Sequence, residues 1–225
     1  FFLTRFQGTV PRGMACLCCC ISGEEVPGDK YGSNAEKFQA KLLDTPCAAP
    51  GCWLASSIFC PCAVYNVRVQ TLDNDMKQYS CCQGYYAACT KPCDGHTEGC
   101  PECCLCMEAT CCMSCSISAT RMLVMDTYDL QSDPQDRKLI RVNNCIQVLS
   151  CFCDIAAMCD SSLAEFSRAL DCFAEIFYLS LQGCMVTQIH IELKHRRGQG
   201  GVGRPQGFEK LPSADAVPVE EMERY

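Results

Sequence analysis

The clearest periodic pattern of apolar and polar positions lies in DLQSDPQDRKLIRVNNCIQVLSCFCDIAAMCD. Asp133 is suited to cap a helix, Pro134 to occupy its first position, and Asp136 to meet the positive end of the helix dipole in the first turn. Leu139, Ile140, Ile146, Leu149, Phe152, Cys153 and Ala156 then form the expected buried side. Arg137, Arg141, Asn144, Gln147 and Asp154 mark the expected polar side. A second helix start follows, where Ser162 and Glu165 have capping-box spacing, and its pattern runs to about Lys194 before HRRGQGG ends it. Gly183, in its middle, marks either close packing or a kink.

Upstream the pattern is more broken. Helical character begins at about Glu102, and Cys104, Glu108, Cys111, Cys112 and Cys115 recur at separations of three or four, which predicts one shared stripe. NAEKFQAKLL at 34–43 predicts a short helix capped by Asn34. Residues 47–70 are mostly apolar, with Pro61 bending the backbone between Cys60 and Cys62. The sum is a mainly α fold, a cysteine-rich bundle of three to four helices with a loop-rich thiol cluster and extended termini. Residues 1–46 form an extended entry segment, 47–195 the helical domain and 196–225 an extended tail.

Composition changes the picture at the cysteines. With 225 residues and 48% hydrophobic content the chain can bury a core of its own, so its 25 cysteines are not needed to staple a coreless miniature. The net charge of −7 disfavours a general attraction to nucleic-acid phosphates or anionic lipid headgroups. Arg5 and Arg12 precede the first acidic residue, Glu24, a bias shared with transit peptides, but the stretch lacks their density of Ser and Arg. No uninterrupted run of eighteen apolar residues stands out, so membrane contact is open and spanning is not implied. The candidate stretches are 53–67, 104–125 and 176–189.

The candidate chemistry is sulfur. Cys81, Cys82, Cys89, Cys93, Cys100 and Cys103 fall close enough to converge on one ion, with His96 among them, and Cys100-Pro-Glu-Cys103 has the two-residue spacing that wraps a metal. Cys60, Cys62 and Cys104 complete the candidate ligand set, and zinc is the candidate ion. Disulfides and reduced packing thiols are the competing readings. Glu108 amid thiols is a ligand, the partner of Arg121, or a solvated group. Cys112-Met-Ser-Cys115 has redox spacing but reads as mid-helix, and CLCCC at 16–20 is a palmitoylation tract, a metal half-site or a set of buried thiols. A cysteine nucleophile would need a base from His96, His190 or His195, and no phosphate loop or nucleophile elbow is present, so the chain reads as non-enzymatic with no small-molecule substrate inferred. The tail has the composition of a segment that orders only on a partner, through Phe208, Leu211 and Val217.

Cys60-Pro61-Cys62 after Cys52, followed by Cys100, Cys103, Cys104, Cys111 and Cys112, resembles the placenta-specific-eight or cell-number-regulator family, which includes plant cadmium-resistance proteins. The likeness extends through SATRMLVMDTYDLQSDP and LIRVNNCIQVLSC, over roughly residues 47–160. It implies a membrane-associated protein linked to metal handling or organ-size control, with no agreed enzymatic activity. The two expectations carried forward are a non-enzymatic accessory subunit of a membrane-associated assembly, and a membrane-associated regulator or transporter of divalent metal.

Overall fold

The computed structural model describes residues 30–86 and 99–198. Among them the chain forms seven α-helices: α1 Thr45–Ala48, α2 Pro50–Ile58, α3 Cys60–Thr71, α4 Pro101–Cys111, α5 Met113–Tyr128, α6 Pro134–Cys159 and α7 Ala164–Gly198. The mainly α, cysteine-rich architecture is the expected one. The count exceeds the expected three or four because two helices are broken by sharp bends and the four-residue α1 stands apart from them.

The first break is at Phe59 (φ −105°, ψ 45°), between α2 and α3. Pro61 has no N–H to give to the Ser57 carbonyl and its ring would strike that turn, so a new helix starts at Cys60 with the proline in its first turn. The second is at Cys112 (φ −126°, ψ 42°), where α4 and α5 diverge by 115°. Their entries match as well: Ala49 and Cys100 stand before Pro50 and Pro101 with nearly the same backbone angles. One helix–bend–helix device is thus used twice. The second break also separates the expected stripe: Cys104, Glu108 and Cys111 lie on α4, whereas Cys115 lies on α5.

Residues 34–43 do not form the expected helix. Glu36 and Lys37 make a two-residue strand, β1, paired in parallel with β2 (Leu130–Gln131) in the register Glu36 to Leu130. Asn34, the expected cap, donates instead to the Leu130 carbonyl at 2.9 Å.

Helix α7 is the spine. Residues 181–189 are all buried, and they pack with Val64, Val67, Ile117, Val124 and Leu42 in the main core. Gly183 marks close packing, because a Cβ there would sit 2.1 Å from Ser57 Oγ and 3.1 Å from the Trp53 carbonyl oxygen on α2. The capping of α6 is as expected, with Asp133 Oδ1 accepting from the Gln135 N–H at 2.8 Å.

The outer halves of α6 and α7 form an antiparallel hairpin with reversed polarity. Gln147 Nε2 donates to the Ala174 carbonyl at 2.8 Å, Ser150 bonds Asp171, and Ser167 Oγ donates to Asp154 at 2.5 Å, so the polar groups lie between the helices. Leu149, Phe152, Ile155 and Met158 point outward, Phe152 at 64% and Met158 at 80% exposure. Leu149 and Phe152 were expected inside and Gln147 and Asp154 outside; the structure reverses both. Periodicity says which residues share a face, not what that face meets.

Candidate thiol–carboxylate centre

Four segments meet around Glu108. It projects from α4 into a space bounded by α3, α5 and the short 3-10 turn at Cys81–Gly84. Its carboxylate is buried yet fully engaged. Oε1 accepts from Arg68 Nη2 at 3.1 Å, while Oε2 accepts from the Tyr79 hydroxyl at 2.9 Å and the Cys82 N–H at 2.7 Å. The Arg68 and Glu108 side chains are 0% and 2% exposed. Arg68 also donates to Thr120 Oγ1 and to the Ser116 carbonyl, both at 2.8 Å, which ties the first turns of α5 to α3. Burial, then the neighbouring Glu108 carboxylate, push the Tyr79 phenol well above its usual range, so Tyr79 stays a donor.

Local backbone places the sulfurs. Cys82 and Gln83 take left-handed conformations (φ 46° and 49°) and Gly84 follows at φ 79°. Each non-glycine residue there costs on the order of 1–2 kcal/mol. The turn aims the Cys82 N–H at Glu108 and leaves the sulfurs of Cys81 and Cys82 and a Glu108 oxygen all within 4.8 Å of one another, all buried. Cys115 packs against the two cysteines from α5.

Zinc takes sulfur and oxygen donors at about 2.0–2.3 Å in a tetrahedron, and three such donors converge here. Formal charge also fits: two thiolates, one carboxylate and one guanidinium sum to −2, which a divalent ion cancels. Two protonated thiols beside the Arg68–Glu108 pair are neutral as well. The site therefore suits either state, provided the ion shares Glu108 with its three existing donors.

The other expected ligands do not join this group. Cys60 is buried at the start of α3 in the main core, where desolvation pushes its thiol up to about 12. Cys62 is exposed one residue beyond Pro61. Cys100 and Cys103 are exposed at the start of α4 with their sulfurs 2.7 Å apart, and Cys104, half-buried, packs near Tyr79 and Leu105. Cys89, Cys93 and His96, and the tail residues Phe208, Leu211 and Val217, lie outside the described residues. No disulfide joins the described cysteines.

Sequence reasoning missed the partners of two carboxylates. Arg121 pairs with Asp136, not Glu108, and Asp136 also accepts from Gln188 Nε2 at 3.0 Å and the Leu42 N–H at 3.1 Å. The expected dipole residue is thus a buried junction of α5, α6, α7 and the entry segment. A charge inside an otherwise apolar stretch was the signal for Glu108 and for Arg121, whereas Asp136, in SDPQDRK, carried none.

Two helices, α6 and the segment Ser161–Gly198 containing α7, are long and apolar enough to cross a membrane. No family model, curated protein or solved structure matches this chain. The cysteine-motif resemblance therefore rests on those motifs alone.

Proposed function

We propose that this chain is a non-enzymatic, cysteine-rich accessory subunit of a larger membrane-associated assembly, with its outer hairpin as the membrane-facing element. The observation that carries this reading is the inside-out polarity of that hairpin. In the apolar stretch of α6 only 11% of the residues are buried. Its one charged residue between 142 and 159, Asp154, is turned inward onto Ser167. Such a surface costs roughly 25 cal/mol per Å² in water and nothing in hydrocarbon. At 1.5 Å per residue the outer stretch of α6, residues 142–159, is about 27 Å long, close to a hydrocarbon core of about 30 Å. Apart from Asp160 at the tip, the outer charges of the hairpin, Glu165, Arg168 and Glu175, are on α7, which favours α6 as the lipid side.

Zinc at Cys81, Cys82 and Glu108 would be structural in this reading, tying the 3-10 turn to α4. The same three donors favour a second reading, a membrane-associated regulator or transporter of divalent metal.

The test is alkaline carbonate extraction of membranes holding the full chain, followed by native electrophoresis in mild detergent. The expected result is retention in the pellet and migration as part of a larger species, with Phe152→Glu and Met158→Glu together releasing the protein. Extraction of the unaltered chain into the supernatant, or a lone monomer in detergent, overturns the reading. Metal uptake by proteoliposomes containing the pure chain alone would favour the transporter.

A further inference from the structure

The sequence pattern places Cys112-Met-Ser-Cys115 and Cys100-Pro-Glu-Cys103 in different settings, one mid-helix and one in a loop. The structure puts both at helix starts: Cys112 and Cys100 are the residues before the first turns of α5 and α4, and each second cysteine is the third helical residue. The two pairs differ in access. Cys112 and Cys115 are half-buried, whereas Cys100 and Cys103 are exposed, with sulfurs 2.7 Å apart.

We propose that Cys100 and Cys103 form a redox-active dithiol that is oxidised to an intrachain disulfide by a cationic or neutral low-molecular-weight disulfide. Three features of the site support this. Cys100 is not helical (φ −154°, ψ 78°), so its side chain can swing over the first turn onto Cys103, the approach that a short-range bridge needs. Helix α4 is eleven residues long, and its N-terminus favours a thiolate at the pair. The hydrogen bond and charge of Cys100 hold the Cys103 thiol above its usual range. Glu102, exposed between them, sets the charge preference by repelling an anionic disulfide.

The chemistry balances in two displacements. The Cys100 thiolate attacks one sulfur of the small disulfide, forming a mixed disulfide and expelling one small thiolate. The Cys103 sulfur, giving up its proton, then attacks Cys100 and expels the second. The dithiol loses two electrons and two protons; the small disulfide gains them and leaves as two thiols.

The test is to equilibrate the reduced full chain with cystamine and cysteamine at graded ratios, trap with a maleimide and map the adducts by mass spectrometry. The expected result is that Cys100 and Cys103 leave the labelled pool together, at lower cystamine than the Cys112 and Cys115 pair. Cys103→Ser should then hold a persistent cysteamine adduct on Cys100, and Glu102→Gln should raise the rate with anionic glutathione disulfide relative to cystamine. Labelling of both sulfurs at every ratio overturns the proposal. So does protection that a chelator removes and a reductant does not, which would mean a bound metal, or an unchanged adduct pattern in Cys103→Ser.

Discussion

Arg68 on α3 and Glu108 on α4 form a 3.1 Å ion pair in which neither side chain reaches solvent. Desolvating two charges is offset only when the remaining donors and acceptors are used, and here the carboxylate takes three donors while the guanidinium serves three acceptors. Among the described residues Arg68 Nη1 is left without a hydrogen-bond partner, so the balance is narrow. Arg68→Met should cost about 3–5 kcal/mol by stranding a buried carboxylate. Arg68→Met combined with Glu108→Gln should cost less than the sum of the single changes. Denaturant unfolding of the full chain in detergent, run as a double-mutant cycle, measures both.

At Gly183 the prediction concerns space. Alanine would place its methyl 2.1 Å from Ser57 Oγ and 3.1 Å from two α2 backbone atoms. The hydroxyl can turn away; the backbone cannot. Gly183→Ala should destabilise by about 1–3 kcal/mol despite the better helix propensity of alanine. Adding Ser57→Ala should recover part of the loss, read as a shift in unfolding midpoint.

Cys60 gives a pH dependence. Its thiol is raised from 9.0 to about 12 by burial. Above the lower value the unfolded chain releases this proton while the folded chain keeps it, so the unfolded state is favoured as pH rises. The Cys60 contribution is whole below pH 9 and is lost progressively towards 12. Cys60→Ala should flatten that part of the stability profile. The same burial predicts that iodoacetamide at pH 8 modifies exposed Cys62 well before Cys60 in the folded chain.

Zinc binding at Cys81, Cys82 and Glu108 should release about two protons per ion, because both thiols must ionise. Calorimetry in buffers of different ionisation enthalpy reads that number. Cys82→Ala should lower bound zinc by about one ion per chain, whereas Cys62→Ala should leave it unchanged.

Much of the helical layout was legible because it is written locally. Asp133, Pro134 and the glycine and proline breakers act on their own neighbours, and α6 starts where they say. The bend at Cys112 was not, since neither proline nor glycine marks it; there Arg68, from another helix, holds the Ser116 carbonyl of the first turn of α5. Glu108 was conspicuous as a charge among thiols, but its partner lies forty positions back, and nothing local distinguishes Arg68 from Arg121. Cys81 and Cys82 could be read as donors. Their convergence could not, because it depends on a left-handed turn at Cys82 and Gln83, residue types that do not advertise one.

Helix α7 has no break between Ala164 and Gly198, and its two halves sit in different surroundings. Its inner half is clamped: Gly183 leaves no slack against α2, and Glu192 holds the Gln39 N–H at 2.9 Å. A stiff rod fixed at one end works as a lever. Whatever tilts the hairpin tip delivers torque to the Gly183 fulcrum and to the anchoring of the entry segment, with no hinge between to absorb it.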